Sequence, residues 1–583
     1  MASISETIAA ANAAEAAQPE NLATLGTPKI IQGGDRFSMA TDAAAATAAV
    51  AGGGSAAAAA AAAYDAASNG AAPPPDFDAV AVSTELKGKG NEKFKAGHFD
   101  EAAEFYSQAI AVHATAVLHS NRAFCYLKTE AFGLAQSDAE AAIRLDKMYI
   151  KGYYRLGSAH LALGRYKAAL KQFKRVCKIA PKSRDARAKF KACKAAVRKQ
   201  AFEAAIASEQ TRPDWWELDP SKIEVEAGYD GPRLAIPEGS TGGAGAGGAG
   251  ADAMGDDEDG PAPLVSVPVP AAFAQSLLEY YKNQKRLHRR FMLQMLLQAR
   301  AMFDAMPSLT DITVPKGGHL IVCGDTHGQF FDLCNIFELG GMPSADNPYL
   351  FNGDFVDRGS WSLEVIATLL AFKLADPRSV HLARGNHETT NMNKIYGFEG
   401  EVKHKYDMKV MGLFTEIFNC LPLASCITGA EAGKVFVTHG GLFKRDGVTL
   451  DEIRKVDRKH QPPDEGLMSD MLWSDPQPFP GRGPSKRGVG QSFGPDITKA
   501  FCETNGLDLI VRSHEVKQEG YLIEHDGKCI TVFSAPNYCD QMGNKGAFIT
   551  FDDRCAPQFT KFSSVPHPPI KPMAYASPLL GMM

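Results

Sequence analysis

The sequence lacks the features that mark secreted proteins, membrane-spanning proteins and thiolate zinc sites. Its eleven cysteines are scattered over 583 residues, and no two of them form a CxxC pair. The first twenty residues include glutamates but no lysine or arginine, unlike secretory signal peptides and organelle transit peptides. No apolar run approaches the roughly 18 residues that span a membrane. We therefore expect reduced cysteines, no membrane span, and a cytoplasmic and nuclear location.

The length and the charge distribution indicate several domains. A chain of 583 residues is too long for one hydrophobic core. Residues 83–200 carry 24 lysines and arginines against 10 aspartates and glutamates, whereas the rest of the chain carries 38 against 57. A basic module of this kind attracts either the acidic remainder of the chain or an acidic partner.

Two low-complexity stretches flank the first region with a regular pattern. Residues 1–82 are rich in alanine and glycine and poor in aromatics, which predicts a mostly disordered extension. Residues 207–263 are predicted to be a linker, because they contain the glycine-rich and acidic insert "EGSTGGAGAGGAGADAMGDDEDGPAP" at 238–263. Regular patterns resume near Ala271, where we expect one long amphipathic helix that runs to about Met306.

The region 83–206 contains an internal repeat of 33 or 34 residues. Three series recur in step along it: an aromatic residue, an alanine three positions later, and a separate small residue. Their members are Phe99, Phe132 and Tyr166; Ala102, Ala135 and Ala169; and Gly90, Ala123 and Gly157. This pattern is typical of tetratricopeptide repeats, in which stacked helical hairpins share one core. We predict three repeats and a capping helix; three matching series disfavour the alternative, an irregular helical bundle.

In the region 264–583, five short apolar runs each end in polar residues of similar chemistry. The runs and their polar residues are "HLIVCGDTHG" with Asp325 and His327, "PYLFNGDFVDRG" with Asp354, Asp357 and Arg358, "SVHLARGNHE" with Asn386 and His387, "KVFVTHGG" with His439, and "LDLIVRSHE" with Arg512 and His514. Buried strands deliver their terminal side chains to one edge of a sheet. We therefore expect these residues, although distant in sequence, to lie together.

The side chains at these run ends are suited to a metal centre that acts on phosphate. Aspartates, an amide and histidines, without cysteine, favour Mn, Fe or Zn in a catalytic rather than a structural site. Their number exceeds what one open catalytic ion needs and suits two ions that lower the pKa of a shared water. A histidine beside a carboxylate can protonate a leaving alkoxide. Arginine forks suit phosphate oxygens, and Arg358, Arg487 and Arg512 are available.

The motifs "GDTHG", "GDFVDRG", "GNHE", "HGG" and "RSHE", in this order, resemble the PPP family of serine/threonine protein phosphatases. The resemblance continues through "SAPNYCDQMGNKGA" at 534–547 and the ending "VPHPPIKPMAYASPLLGMM". It implies a multidomain chain: an all-α tetratricopeptide solenoid at 83–206, and at 264–583 an α/β metallophosphatase domain with a central β-sandwich flanked by helices. It also implies hydrolysis of phosphoserine and phosphothreonine on proteins.

The resemblance further assigns roles to single residues. Asp325 and His327 would bind the first metal, Asp354 would bridge, and Asn386, His439 and His514 would complete the second site. His387 would be the general acid, oriented by Asp357. Arg358 and Arg487 would hold the phosphate, with Arg512 nearby, and Tyr538 would line the cleft. We expect Glu388, whose role the sequence does not determine, to orient its neighbours.

In the repeat module the resemblance implies a clamp for the acidic C-terminal tail of heat-shock protein 90-type chaperones. Its residues would be Lys87, Asn91, Asn121, Lys151 and Arg155, which offer ammonium, guanidinium and amide donors to carboxylates. A solvated basic face is the alternative. The resemblance also implies autoinhibition, with Glu130 at a docking position. Because the insert lengthens the predicted linker, we expect this autoinhibition to be weak.

Two other functions remain open from the sequence. The chain could be a chaperone adaptor with weak or no catalysis, although the intact set of predicted ligands argues against it. It could also be a metallophosphoesterase that acts on non-protein substrates, although the stretch from "RSHE" to "SAPNYCDQ" favours proteins. The expected partners are phosphoproteins and the chaperone tail, without nucleic acid, and we expect a monomer.

Overall fold

The computed structural model describes residues 78–209, 218–235, 268–430 and 433–576. Their contacts divide the chain into two compact units. One unit contains residues 78–209 and 477–492, and we call it the repeat unit. The other contains the described residues of 218–476 and 493–576, and we call it the catalytic unit. Most of the extension predicted at 1–82, and the whole insert at 238–263, lie outside the described residues.

The repeat unit contains seven helices, six of them paired as hairpins. These are α1 (Ala79–Lys95), α2 (Phe99–Val112), α3 (Ala116–Lys128), α4 (Phe132–Leu145), α5 (Ile150–Ala162), α6 (Tyr166–Ile179) and α7 (Arg184–Glu209). The recurrent aromatic is the first residue of the second helix in each pair. The recurrent alanines are all fully buried. The predicted helical repeats are therefore confirmed, and the first helix begins at Ala79, four residues before the predicted boundary.

The small-residue series marks a close approach of neighbouring helices. A Cβ atom on Gly90 of α1 would lie 2.7 Å from the ring of Tyr106 on α2, which is closer than atoms can pack. Tyr106 itself is buried, and its hydroxyl donates a hydrogen bond to Asn91 Oδ1 at 2.8 Å. The repeat therefore places a small residue where the aromatic ring of its partner helix must fit.

The catalytic unit is built on a sandwich of two β-sheets. In chain order the strands are β1 (Leu309–Val314), β2 (His319–Cys323), β3 (Tyr349–Phe351), β4 (Val380–Leu382), β5 (Ala424–Gly429), β6 (Lys434–Thr438), β7 (Asp475–Pro476), β8 (Arg482–Pro484), β9 (Gln491–Phe493), β10 (Leu509–Arg512), β11 (Tyr521–Glu524), β12 (Cys529–Val532), β13 (Gly546–Asp552) and β14 (Pro557–Phe562). Of these, β8 and the first two residues of β9 fall in the segment 477–492. One sheet has the order β1-β5-β6-β10-β12-β11, and the other has the order β14-β13-β2-β3-β4. The two sheets share one apolar core.

Helices cover the outer faces of the sandwich. They are α8 (Ala271–Lys282), α9 (Arg289–Asp304), α10 (Phe330–Gly340), α11 (Ser362–Ala375), α12 (Thr390–Tyr396), α13 (Phe398–Lys405), α14 (Met408–Cys420), α15 (Leu450–Arg454), α16 (Leu467–Trp473) and α17 (Pro495–Asn505). Strand β2 shows the arrangement: Leu320 and Val322 face the other sheet, whereas Ile321 and Cys323 face helices. Among the described residues, no helix is both long and apolar enough to span a membrane.

The single helix predicted from Ala271 to Met306 is two helices, so that prediction is wrong. The chain leaves the helical path at Asn283, and α9 starts with His288 as its N-cap. Between them Leu287 is fully buried, and its carbonyl accepts a hydrogen bond from the Tyr406 hydroxyl. The apolar residue that continued the helical pattern thus packs from an irregular segment.

The predicted linker 207–263 also needs correction, because residues 218–235 pack on the catalytic unit. Leu234 is only 4% exposed and belongs to the core formed with α8, α9 and α11. The backbone N–H of His288 donates to the Tyr229 hydroxyl at 3.2 Å, and Arg290 Nη1 donates to the carbonyl of Ile223 at 3.3 Å. The insert therefore interrupts the catalytic unit instead of joining the two units.

The repeat unit also includes the segment 477–492. The carbonyl of Lys486 accepts hydrogen bonds from the backbone N–H groups of Gly133 (2.9 Å) and Leu134 (3.3 Å), at the start of α4. Arg165 Nη2 donates to the carbonyl of Gly488 at 3.2 Å. This segment, which contains Arg487, is therefore held by backbone contacts with the helices.

Candidate metal centre and active site

Five strand ends bring the predicted metal ligands together at one edge of the sandwich. Strands β2, β3 and β4 are parallel neighbours in one sheet, and β6 and β10 are parallel neighbours in the other. Their C-terminal ends carry Asp325 and His327, Asp354, Asn386, His439 and His514 respectively. All six side chains are buried.

Asn352 joins the two sheets at this edge. Its Nδ2 donates hydrogen bonds to the Thr438 carbonyl (2.8 Å) and to Ser513 Oγ (3.0 Å), both at ends of strands in the other sheet. Its own carbonyl accepts from His439 Nδ1 at 2.8 Å. The sequence analysis missed this residue, although a polar asparagine directly after the apolar run "YLF" was a usable signal.

Two groups of potential ligand atoms overlap at Asp354. One group contains His327, Asp354 and His387, and the other contains Asp354, His439 and His514. Within each group the ligand atoms lie within 4.8 Å of one another. A carboxylate shared by two groups is the arrangement that a pair of bridged ions requires.

The hydrogen bonds of the histidines show that the site is suited to cations. His327 Nδ1 lies 3.0 Å from the Val356 carbonyl, and His439 Nδ1 bonds the Asn352 carbonyl, so both Nδ1 atoms carry the proton. The Nε2 atoms then present lone pairs, at 3.5 and 3.4 Å from the two oxygens of Asp354. Acceptors that face acceptors in a buried site repel one another unless a cation lies between them.

The electrostatics of the buried groups agree with this geometry. Burial, and next the neighbouring carboxylate of Asp354, raise the pKa of Asp325 to about 7. Burial, with smaller contributions from His387 and Arg358, lowers the pKa of His327 well below its ordinary value. Cations bound here would reverse both shifts, because they favour the charged carboxylate and the neutral imidazole.

Glu388 fixes the backbone that carries Asp354. It is fully buried, and its Oε2 accepts hydrogen bonds from the N–H groups of Asp354 and Gly385, each at 2.8 Å. Its Oε1 accepts from the N–H of Phe355 at 2.9 Å. Asp354 has a positive φ of 51°, a strained backbone state that the three hydrogen bonds help to hold.

His387 is paired with Asp357 beside the ligand groups. Its Nδ1 lies 2.8 Å from Asp357 Oδ2, and both side chains are buried. Asn393 Nδ2 donates to the same carboxylate oxygen at 3.1 Å and to the His387 carbonyl at 2.7 Å. Asn393, which the sequence analysis missed, thus holds both members of the pair. Burial raises the pKa of Asp357 to about 7.

Arg358 and Tyr538 also lie at this edge. The guanidinium carbon of Arg358 lies 3.9 Å from the ring centroid of Tyr396, whose ring is 5.2 Å from that of His387. The ring of Tyr538 lies 5.1 Å from that of His327. Arg487, in contrast, belongs to the segment 477–492 of the repeat unit, where its backbone N–H donates to Ser485 Oγ.

The predicted phosphate contact of Arg512 is wrong. Its guanidinium is fully buried and bonds Asp475 Oδ1 (2.8 Å) and Glu515 Oε2 (2.9 Å). Two backbone carbonyls, those of Gly440 and Ser474, accept from it as well. A phosphate would have to displace these partners, so Arg512 is a structural residue that ties β10 to the loops beside it.

The residues of the predicted peptide clamp lie on the first helices of the three repeats, α1, α3 and α5. Asn91 and Asn121 are in contact, with Nδ2 of Asn121 at 3.4 Å from Oδ1 of Asn91. Arg155 stacks on Phe124, with its guanidinium carbon 3.5 Å from the ring centroid. Burial lowers the pKa of Arg155 to about 10. The two contacts connect α1 to α3 and α3 to α5.

Lys87, Lys151 and Glu130 complete the predicted residues of the repeat unit. Lys87 lies on α1 and is half-buried, and Lys151 is exposed at the start of α5. Glu130 is exposed in the turn between α3 and α4, with a positive φ of 60°. The corresponding turns of the other two repeats have glycine at this position, Gly97 and Gly164, each with a positive φ.

Comparisons with known proteins identify the family. Residues 318–518 match the family of calcineurin-like phosphoesterases, residues 190–311 match the PPP5 TPR repeat region, and residues 150–183 match the tetratricopeptide repeat. Serine/threonine-protein phosphatase 5 of Homo sapiens is 50% identical over 510 residues, which cover 87% of this chain and 95% of the human protein. The chain belongs to the serine/threonine-protein phosphatase 5 family.

A plant member of the phosphatase 5 family is equally similar. The Arabidopsis thaliana protein is 50% identical over 531 residues, which cover 86% of this chain and 98% of the plant protein. A solved structure of a protein serine/threonine phosphatase from Saccharomyces cerevisiae is 42% identical and covers 51% of this chain and 96% of its own, with a TM-score of 0.48.

Membership of the phosphatase 5 family confirms the predicted fold class and the predicted enzyme class. The chain is a protein serine/threonine phosphatase with a tetratricopeptide region and an α/β metallophosphatase domain. The metallophosphatase match and the buried histidine and aspartate groups together indicate that it binds divalent metal.

Proposed function

We propose that this phosphatase hydrolyses phosphoserine and phosphothreonine with two divalent ions, drawn from Mn, Fe and Zn. Asp325, His327 and Asp354 would hold one ion, and Asp354, Asn386, His439 and His514 would hold the other. The observation that carries this proposal is the presence of Asp354 in both groups of converging ligand atoms, and Asp325 adjoins the first group, with its Oδ2 3.8 Å from His327 Nε2. A donor set of oxygens and imidazole nitrogens without thiolate suits these metals.

When bound, the ions would polarise the phosphoryl oxygens and lower the pKa of a coordinated water. The chain's own residues supply the remaining chemistry. Asp357, held by Asn393, orients His387, which donates a proton to the alkoxide of the departing serine or threonine. Arg358 holds the phosphate with a planar pair of N–H donors. The buried position of all three side chains strengthens these interactions, since little water competes.

Two substitutions test the separate roles of metal binding and proton transfer. Asp354→Asn should lose bound metal and more than about a thousandfold in turnover of a phosphopeptide with manganese, because both ions depend on this carboxylate. His387→Asn should keep bound metal and lose about a hundredfold to ten-thousandfold in kcat. Metal content by mass spectrometry separates the two, and Asp346→Asn, in an exposed loop, is the control. Full metal content in Asp354→Asn would contradict the bridging role.

We also propose that the repeat unit binds the acidic C-terminal tail of a heat-shock protein 90-type chaperone. The support is the row of amide and basic side chains on α1, α3 and α5, connected by the Asn91–Asn121 and Phe124–Arg155 contacts. Terminal carboxylates are bound by donors of this kind. Lys151→Ala should weaken binding of an acidic tail peptide about tenfold, whereas Lys167→Ala, exposed on α6, should not. Equal binding of a C-terminally amidated peptide would contradict carboxylate capture.

We also propose that the repeat unit inhibits the phosphatase activity, and the contacts of the segment 477–492 support this proposal. The contacts of Gly133 and Leu134 with the Lys486 carbonyl hold this segment on α4, three residues from Glu130. Because Arg487 lies on the same segment, the repeats restrain a residue that we expect to hold phosphate. A chaperone-tail peptide should therefore raise phosphopeptide turnover by the full chain, and Glu130→Gln should raise the turnover without peptide. Unchanged turnover in both experiments would contradict the proposal.

A further inference from the structure

The last described segment of the chain lies along the catalytic unit next to Arg358. We call residues 565–576 the C-terminal strap. The backbone N–H of Val565 donates to Asp332 Oδ1 at 2.9 Å, and His567 Nε2 lies 3.1 Å from Asp540 Oδ1. Further along, Ser360 Oγ donates to the Lys571 carbonyl at 2.7 Å. The strap is thus bound at several points and reaches the loop that follows β3.

At Met573 the strap bonds the backbone of Arg358 directly. The N–H of Met573 donates to the Arg358 carbonyl at 2.7 Å, although 215 positions separate the two residues. The N–H of Arg358 donates to the Tyr396 carbonyl at 3.2 Å. Both polar groups of the Arg358 peptide backbone are therefore fixed by other segments of the chain, one of them the strap.

This double attachment acts on a strained residue. Arg358 has a φ of 69°, in the left-handed region that non-glycine residues rarely adopt. Asp357 before it is also left-handed, with a φ of 71°. Backbone states of this kind persist only where surrounding contacts hold them. If the Met573 bond were lost, Arg358 could relax to an ordinary conformation, and its side chain would leave the ring of Tyr396.

Beyond Met573 the strap packs closely against α13. A Cβ atom on Gly400 of α13 would lie 2.3 Å from the Tyr575 carbonyl oxygen, so the strap lies directly on the helix backbone. The N–H of Ala576 donates to the Met573 carbonyl at 3.0 Å, which closes a turn around Met573, itself at a φ of 53°. The turn fixes the direction of the Met573 N–H.

From these contacts we infer that the C-terminal strap is a positioning element for phosphate binding: the Met573 N–H holds Arg358 in the backbone conformation that presents its guanidinium. The inference rests on the proposed phosphate contact of Arg358. Met573 is a positioning residue and has no role in the chemical step. Its thioether adds little, since Sδ lies 4.0 Å from Arg358 Nη1. The backbone N–H is the group that matters.

The experiment therefore compares a variant that lacks the N–H of residue 573 with a variant that lacks only the side chain. In the full chain loaded with manganese, Met573→Pro removes the donor and excludes a positive φ, whereas Met573→Gly keeps both. The readouts are the inhibition constant of inorganic phosphate and the KM for para-nitrophenyl phosphate. Met573→Pro should raise both by about ten- to a hundredfold, with a smaller change in kcat, while Met573→Gly should stay near wild type.

A double variant shows whether the effect passes through Arg358. Arg358→Ala should itself raise the phosphate inhibition constant, and Met573→Pro should add nothing in that background. If Met573→Pro does not fold, Ser360→Ala, which removes the neighbouring bond to the strap, should raise the constant about threefold.

The outcomes separate this inference from the proposed function. A normal inhibition constant in Arg358→Ala would overturn both the phosphate contact and the strap's role. If Arg358→Ala raises the inhibition constant but Met573→Pro leaves it normal, the strap's role alone is overturned. Where Met573→Pro does not fold, a normal inhibition constant in Ser360→Ala has the same meaning. Additive effects in the double variant would also overturn it.

Discussion

At the scale of single residues, two arginines that follow apolar strands have opposite surroundings. Arg358 keeps its guanidinium against the face of Tyr396 beside the ligand groups. Arg512 bonds two carboxylates and two carbonyls and is fully buried. The sequence pattern is the same in both cases, an arginine next to a metal-ligand motif. Only the fold shows that Asp475, 37 positions away, neutralises Arg512.

We predict that Arg512→Lys destabilises the enzyme without changing phosphate affinity. Lysine keeps the charge but cannot bond both carboxylates and both carbonyls, so buried partners lose hydrogen bonds. The free energy of unfolding should fall by about 2–4 kcal/mol, measured by denaturant unfolding. The inhibition constant of inorganic phosphate should stay within about twofold of wild type. A raised constant with normal stability would show that Arg512 contacts phosphate after all.

A second prediction concerns the pH dependence of the repeat unit. Burial, and next the charge of Arg165, lower the pKa of His160 to about 4. Because the folded pKa lies below the unfolded value of about 6.5, protonation favours the unfolded chain. The stabilisation is complete above pH 6.5 and is lost as the pH falls towards 4. Thermal unfolding followed by circular dichroism should show this loss, and His160→Gln should reduce it.

The control for this prediction is His113→Gln, since His113 is exposed at the end of α2. Its unfolding should follow the pH dependence of the wild type. If His160→Gln and wild type lose stability equally between pH 6.5 and 4, another group carries the effect.

At the scale of secondary-structure elements, two glycines of α1 offer a matched comparison. Gly90 faces Tyr106, and a Cβ atom there would lie 2.7 Å from the ring. Gly88, on the same helix, has no atom within 4 Å of such a Cβ. Gly90→Ala should therefore cost about 1–3 kcal/mol through overpacking, whereas Gly88→Ala should stabilise the helix by about 0.5–1 kcal/mol. Denaturant unfolding of the two variants measures both, and equal effects would refute the packing argument.

The elements with strong periodic patterns were predictable from the sequence, and the irregular ones were not. Helical pairs with a 34-residue period and strands that end in ligand residues both followed from residue spacing. The break before α9 did not, because Leu287 continues an apolar helical pattern while it packs from an irregular segment. Asn352 and Asn393 were missed because their hydrogen bonds join segments that no local pattern connects.

The packing of residues 218–235 on the catalytic unit could not be predicted from the sequence either. Leu234 and Tyr229 lie in a stretch with no helical or strand periodicity, next to a glycine-rich insert. The residues that they contact, on α8 and at the start of α9, lie 37 or more positions further along the chain. A short irregular segment can bury one leucine without any repeating pattern, so composition alone assigned it to a linker.

At the scale of the whole molecule, the packing of residues 218–235 changes the effect on autoinhibition that we expect from the insert. The expectation of weak autoinhibition assumed that the insert lengthens the tether between the units. Residues on both sides of it, 218–235 and 268 onward, belong to the catalytic unit, so only eight positions of the sequence lie between the end of α7 and residue 218. A connection of eight positions is short, and a short connection favours a high effective concentration of one module at the other. We therefore expect stronger autoinhibition than a long linker would allow.

Two changes of chain length test this reasoning. Deletion of residues 238–263 should leave the turnover of a phosphopeptide unchanged, because the tether keeps its length. Insertion of about 30 glycine and serine residues within 210–217 should raise the turnover severalfold, since a longer flexible tether lowers the effective concentration. Steady-state assays of the full chain measure both. A rise on deletion of the insert, with no effect of the spacer, would contradict the assignment of residues 218–235.

The packing of residues 218–235 also predicts which fragment of the chain retains the stability of the catalytic unit. A fragment of residues 264–583 lacks Leu234 and Tyr229 and leaves their binding surface open to water. Relative to a fragment of residues 218–583, it should lose about 3–5 kcal/mol in the free energy of unfolding, the cost of removing large buried side chains. Denaturant unfolding of the two fragments, at equal metal concentration, measures the difference. Equal stability would show that residues 218–235 contribute no binding energy.

The position of the ligand groups between two sheets has a consequence for the order of events when the protein folds. Asp325, Asp354 and Asn386 come from one sheet, whereas His439 and His514 come from the other, and Asn352 joins the two. The group of His327, Asp354 and His387 lies at strand ends of one sheet, whereas the group of Asp354, His439 and His514 needs strand ends from both sheets. The second group is therefore complete only after the two sheets have associated. We expect full metal loading to follow that association during folding.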